Sequence, residues 1–197
     1  LERSAAENVE RAFVRRGRGE DATGTGTRFE FAPAGVALRE IERDEVSSLH
    51  EGYERHLRRY VTVRKLLPEL RGETALEELF WSQARGGAGL QHEHLQAIYS
   101  IDTARRWVIL EPFDHSLAER LKKGPLPPAE VQTVVEQALR GLAYLHSRGQ
   151  IHGGLHPATL LMNKDNQLKL TRTPGLDPKS ELRLPPGGGR YLAPELL

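Results

Sequence analysis

The run Ile151-His-Gly-Gly-Leu-His-Pro-Ala-Thr-Leu-Leu-Met162 constrains the chain more than any other stretch. Taken alone, its His-Gly-Gly-Leu-His core reads as a glycine turn carrying two solvated histidines. The histidine pair also invites a metal reading, but no Glu lies between the two and no helix aligns them. Zinc needs a third and fourth ligand, and the chain has no Cys. No metal site is therefore expected. Three glycine-rich stretches, Thr23–Thr27, Gly86–Gly89 and Gly187–Gly189, invite a phosphate-loop reading. None is a G-x-G-x-x-G between a strand and a helix or a G-x-x-x-x-G-K-[ST], so each reads as linker or turn.

At 197 residues the chain suits one domain or two small lobes, and a hydrophobic content of 38% with two Trp allows a true core. No apolar stretch approaches the ~20 residues of a membrane span. The absence of Cys fits a reducing compartment, and a cytoplasmic location is expected. A formal net charge of +1 gives no general pull toward nucleic acid or membrane. The local basic run Arg55, His56, Arg58, Arg59, Arg64 and Lys65 reads as a solvated hairpin, with an anionic partner as the alternative.

Set in its surroundings, the 151–162 run resembles the catalytic loop of protein kinases, HRDLKPxN, with each catalytic position replaced. His152, Leu155 and Pro157 stand at His, Leu and Pro. Gly153 takes the Arg position, Gly154 the catalytic Asp, His156 the Lys and Thr159 the metal-binding Asn. The resemblance continues in order along the chain. Gly141–Gly149 is similar to the helix end leading into that loop. Arg172-Thr173-Pro174 stands for Asp-Phe-Gly after the strand Leu168-Lys169-Leu170, and Ala193-Pro194-Glu195 matches Ala-Pro-Glu. Upstream, Val61-Thr-Val-Arg64 fits Val-Ala-Ile-Lys with Arg64 at the lysine. Ile41–His50 overlays the glycine-rich loop with Glu42, Asp44 and Ser47 at its three glycines. The resemblance is to the bacterial serine/threonine type, and the composition, rich in Ala, Arg, Gly and Leu, suits a GC-rich bacterium.

The implied fold is α+β and bilobal. Residues 1–35 form a polar, partly disordered lead, with Glu7–Arg16 helical and Arg15–Thr27 a linker. Residues 36–111 form an N-lobe of antiparallel strands plus the helix kinases call αC. Residues 112–197 form an incomplete, mainly helical C-lobe. Val36–Lys65 should give three strands and Leu95–Leu110 two more, ending in a hinge at Glu111-Pro-Phe113. Thr74-Ala-Leu-Glu77 has the form of a capping box, with Leu76, Leu79, Phe80 and Gln83 on one helical face. Gln83 takes the place of the glutamate that pairs with the strand lysine. It can hydrogen-bond Arg64 but not pair with it as an ion. A short helix over Ser116–Lys123 should end at Gly124. Pro127-Pro128 should open a long helix whose stripe Val131, Val134, Val135, Ala138, Leu139, Leu142 and Leu145 is core. Both ends of the chain look cut, and without further C-lobe helices that stripe should leave the chain marginal.

The resemblance implies lost chemistry. Gly154 offers no base, and Mg²⁺ meets Thr159 and Arg172 where it needs oxygens. Glu42 and Asp44 oppose phosphates, and Thr62 sits in the adenine roof. Arg172 is a candidate partner for Glu42 or Asp44 across the cleft. The function expected is a pseudokinase, a protein-interaction or regulatory module that is not an enzyme. It would hold ATP and Mg weakly or not at all and act on a protein partner or fused domain. The alternative is a divergent serine/threonine kinase binding ATP with rerouted groups, with Asp165 and Asp177 the carboxylates at hand. A third reading is a passive spacer.

Overall fold

A computed structural model describes residues 30–32, 36–44 and 46–171 of the chain. The first six strands are β1 (Glu30–Ala32), β2 (Val36–Arg43), β3 (Ser47–Glu54), β4 (Arg59–Leu66), β5 (Ile98–Asp102) and β6 (Trp107–Leu110). They form one antiparallel sheet in the order β1-β2-β3-β4-β6-β5. Strand β1 pairs with β2 from Glu30 opposite Leu38 to Ala32 opposite Val36. The sheet thus begins inside the segment expected to be a polar lead. A three-residue strand among turn-forming neighbours is too short for alternation to show. The helix expected over Glu7–Arg16 and the linker over Arg15–Thr27 lie outside the described residues.

Helix α1 (Thr74–Gly87) packs Phe80 and Ala84 against Leu66, Val108 and Leu110 of the sheet. It begins where the Thr-x-x-Glu pattern places it, but not by that device. Glu73 is the cap, no side chain closes it, and the Thr74 hydroxyl donates to the Gly72 carbonyl at 3.4 Å. The Glu77 carboxylate instead meets Arg106 at 2.9 Å, in the turn between β5 and β6. A true capping box closes the next helix, α2 (Leu117–Leu121). There the Ser116 hydroxyl accepts from the Glu119 amide and the Glu119 carboxylate accepts from the Ser116 amide.

Beyond the hinge, α3 (Pro128–Ser147) lies against the small sheet of β7 (His115–Ser116), β8 (Leu160–Met162) and β9 (Leu168–Leu170). Its apolar stripe divides. Val134, Ala138 and Leu145 are buried with Leu95, Leu168 and Leu170, whereas Val131, Val135 and Leu139 are 43, 48 and 58% exposed. The stripe is wider than the single face that the sheet covers, so the expectation that all of it is core does not hold. Gly141 is on the covered face because nothing larger fits. A Cβ there would stand 2.9 Å from the His94 carbonyl oxygen and 2.9 Å from Leu170 Cδ1. Alanine gains about 1 kcal/mol in helix propensity but must displace a backbone atom, an overpacking cost of about 1–3 kcal/mol. Gly141→Ala is therefore expected to lower the melting temperature. A higher one would mean that α3 is not seated this closely.

The two halves are tied by polar contacts. The Leu170 amide donates to the His94 carbonyl at 2.9 Å, and the Gln96 amide donates to the Leu170 carbonyl at 3.0 Å. The Thr171 hydroxyl donates to Gln96 Oε1 at 2.9 Å, and Gln96 Nε2 donates to the Glu111 carbonyl at 2.8 Å. Lys169 Nζ pairs with the Glu111 carboxylate at 2.8 Å, and that carboxylate also accepts from the Ala97 amide.

Candidate functional site

The hairpin joining β2 to β3 carries the three positions that overlay a glycine-rich loop. Glu42 is exposed at the end of β2, just past a register shift between Glu40 and Glu42. Asp44 occupies the turn and folds its carboxylate onto it. Oδ1 accepts from the Val46 amide at 2.7 Å and the Ser47 amide at 2.6 Å, and Oδ2 accepts from the buried Ser47 hydroxyl at 3.0 Å. Behind the hairpin, β3 and β4 pair Leu49 with Arg64 and Glu51 with Thr62, and Thr62 is buried opposite Leu110 of β6.

Arg64 is the unusual group. Its Nε is shut off from water and has no hydrogen-bond partner, and Gln83 Nε2 on α1 is in the same condition. No hydrogen bond joins the two side chains, so the interaction the sequence allows does not form. Burial pushes the Arg64 pKa down, and the carboxylates of Asp44 and then Glu42 oppose that shift. The guanidinium nevertheless keeps its charge at physiological pH.

The 151–159 loop is held from inside. His152 is buried, and its Nε2 meets the Thr171 carbonyl at 2.8 Å while Nδ1 faces the Gly154 amide at 3.4 Å. The glycine turn is thus not the pair of solvated histidines that its bare sequence suggests. Gly153 takes φ 73°, a conformation that suits glycine. Thr159 is buried, and its hydroxyl lies within hydrogen-bond distance of the Gly154 carbonyl at 3.0 Å, the His156 carbonyl at 2.9 Å and the His156 amide at 3.1 Å. His156 caps the turn that follows, with Nδ1 accepting from the Ala158 amide, and burial lowers its pKa.

These contacts decide how the loop fits a divalent cation. The Thr159 oxygen is committed to the loop, and among the described residues no three His, Asp or Glu side chains cluster to hold a metal. The 151–159 loop itself thus offers no free side-chain oxygen at Gly154 or Thr159. Arg172 and Asp177, with the cross-cleft pair proposed for Arg172, lie outside the described residues, as do the Thr23–Thr27 and Gly187–Gly189 stretches. Asp165 is in the β8–β9 turn, its amide bonded to Asn163 Oδ1. The next residue's carbonyl faces Gln137 of α3. The hinge residues Glu111 and Phe113 follow β6 directly, with the Asp114 amide donating to the Met162 carbonyl. In the basic run, the Arg59 guanidinium lies over Tyr99 and Lys65 over Trp107. Among the described residues no helix is long and apolar enough to cross a membrane.

Sequence reasoning missed Gln96, Thr171 and Lys169 as a group. The only sign of them is a polar residue set between Leu95 and Ala97, in a run otherwise suited to burial.

Comparison with known proteins adds the family. The protein kinase domain matches residues 40–197, more than three quarters of the chain. The serine/threonine-protein kinase drp72 of Corynebacterium efficiens is 28% identical over 151 residues, covering 70% of this chain and 29% of its own length. The serine/threonine-protein kinase PknB of Mycobacterium leprae is 25% identical over 133 residues, covering 64% and 21%. The mitogen-activated protein kinase mpkC of Aspergillus terreus is 25% identical over 148 residues, covering 74% and 40%. The chain thus spans between about a fifth and two fifths of the length of these curated relatives. These matches overturn the expectation that the chain is not an enzyme, since family and relatives alike are named as protein kinases. The changed residues of the cleft are differences inside that family, and the chain belongs to the protein kinase domain family.

Proposed function

We propose that the chain supplies the nucleotide-facing part of a divergent serine/threonine protein kinase, in which Arg64 faces the phosphates in place of the usual strand lysine. The observation that carries this reading is the pair of buried donors without acceptors, Arg64 Nε and Gln83 Nε2. A buried polar group left unsatisfied costs about 1–3 kcal/mol, and more when charged. A polyphosphate between strand and helix offers oxygens to both, and a guanidinium fork suits it in bidentate fashion. The adenine would lie by the hinge at Glu111 and Phe113, under Thr62.

Phosphoryl transfer asks a protein mainly for positioning and electrostatics. The terminal phosphoryl group passes from ATP to a serine or threonine hydroxyl of a protein. The new O–P bond forms as the bond to ADP breaks. With no side chain at Gly154, the hydroxyl proton leaves to water or to a phosphate oxygen. A cytoplasmic setting, where ATP is abundant, suits the reaction.

The test follows ATP binding by thermal shift and labelled phosphate on serine- and threonine-containing peptides. ATP at 100 times its dissociation constant stabilises a fold by about 2.7 kcal/mol. Arg64→Met is expected to weaken ATP binding at least tenfold, leave adenosine binding unchanged, and raise the melting temperature of the free protein by removing Nε, a buried donor without an acceptor. Unchanged ATP affinity in Arg64→Met would overturn the reading. So would a wild-type protein that binds no ATP and labels no hydroxyl.

A further inference from the structure

Two histidines sit at the seam between the halves of the molecule, in the segment 88–97 that joins α1 to β5. A backbone amide can only donate and a carbonyl can only accept, so their contacts fix where the protons are. His92 Nδ1 accepts from the His94 amide at 3.1 Å and therefore carries a lone pair. His94 Nδ1 meets the Leu168 carbonyl of β9 at 3.0 Å and therefore carries a proton. His94 Nε2 is buried with no hydrogen-bond partner, and Glu93 Oε1 is 3.5 Å from it. The same pair reaches far along the chain. The His92 ring stacks on Tyr144 of α3 with centroids 4.8 Å apart, and it stands 5.6 Å from the His94 ring. The His94 carbonyl accepts from the Leu170 amide at 2.9 Å and closes over Gly141 of α3. A single turn of chain thus grips α3 by a ring and β9 by two hydrogen bonds.

We propose that His92 is a pH-sensitive latch on this seam, whose protonation removes the acceptor of the His94 amide and so unseats the 88–97 segment from α3 and β9. A proton on Nδ1 turns that acceptor into a second donor aimed at an N–H, and the bond has to break. The neighbours on every side resist the charge more than they welcome it. Lys169 on β9 and His94 oppose a new cation, and only the exposed Glu93 favours one. On α3, Tyr144 offers its ring face, but the Arg148 guanidinium already lies over that ring at 5.2 Å. Burial first, and then His94, hold the His92 pKa below the ordinary histidine value. The sign follows. A histidine whose pKa falls on folding adds stability that is whole above its unfolded value of about 6.5 and is lost as the pH drops below it. This latch is independent of the nucleotide reading.

The test follows the full chain and two variants. His92→Phe keeps a ring for the Tyr144 stack and has no proton to gain, and His56→Gln removes an exposed histidine from the β3–β4 turn. By NMR, His92 is expected to titrate below the ordinary histidine value. Between about pH 7.5 and about pH 5.5, the wild type is expected to lose at least about threefold more of its folding equilibrium constant than His92→Phe, with His56→Gln following the wild type. Over the same range, hydrogen-exchange protection of the Leu170 amide, corrected for the intrinsic rate, should fall in the wild type and hold in His92→Phe. A His92 titration at or above the ordinary value would overturn the proposal. So would equal losses in the wild type and His92→Phe, or a Leu170 amide whose protection does not change with pH in the wild type. Should His92→Phe fail to fold, the His92 titration and the Leu170 exchange in the wild type decide by themselves.

Discussion

Leu170→Ala is expected to reduce the free energy of unfolding by about 3–4 kcal/mol, in the upper part of the range for buried leucine truncations. Leu170 is 0% exposed and lies among Leu95, Val134, Ala138, Leu145 and Leu168. The cost of such a truncation depends on how far the surroundings collapse into the space. Here they are restrained, because the Leu170 amide and carbonyl are both bonded across the lobes to His94 and Gln96. Against the 5–15 kcal/mol typical of a folded domain this is a large fraction. Leu139→Ala, on the exposed side of α3, is expected to change stability by less than about 0.5 kcal/mol. Denaturant unfolding of the two variants measures the contrast. A Leu170→Ala loss below about 1 kcal/mol would mean that the interlobe backbone moves freely. Because Leu170 Cδ1 is one of the two atoms a Cβ at 141 would strike, the Gly141→Ala and Leu170→Ala effects should not add.

The elements most legible in the sequence are those whose signals are local. The helical period of α3, the strands between Val36 and Lys65 and the turn at Gly124 all follow from residues a few positions apart. What stayed hidden depends on distance or on direction. Thr171 meets Gln96 across 75 residues and Lys169 meets Glu111 across 58, and no periodicity reports such pairs. The lobes join through these polar bonds and through Leu95, which is buried in one cluster with Leu168 and Leu170. Likewise Asp44 reads as a repelling charge at a glycine position. That its carboxylate turns back onto its own hairpin amides is a rotamer choice that no residue pattern states. The α3 stripe errs the other way. Spacing shows which residues share a face, but not how much of that face the small sheet covers.

Gly154→Asp is expected to raise the rate of phosphate transfer by about 100-fold or more with little change in ATP affinity. Both ends of residue 154 are held in place. Its amide faces His152 Nδ1 and its carbonyl accepts from the Thr159 hydroxyl, while His152 is itself anchored on the Thr171 carbonyl. It does not share the positive φ of Gly153, so an L side chain fits the backbone there without that strain. A carboxylate at 154 would thus start from a fixed main chain, at the position where protein kinases keep the Asp that accepts the hydroxyl proton. A positioned base contributes about 10²–10⁴-fold in general, but only when the other groups are in place. That condition makes the variant informative about Arg64. If Arg64 and the hinge already seat the nucleotide, the base is the missing part and the rate responds. An unchanged rate in Gly154→Asp alongside normal ATP binding would mean that the phosphates are held out of line with the loop, because groups acting as a unit give nothing singly.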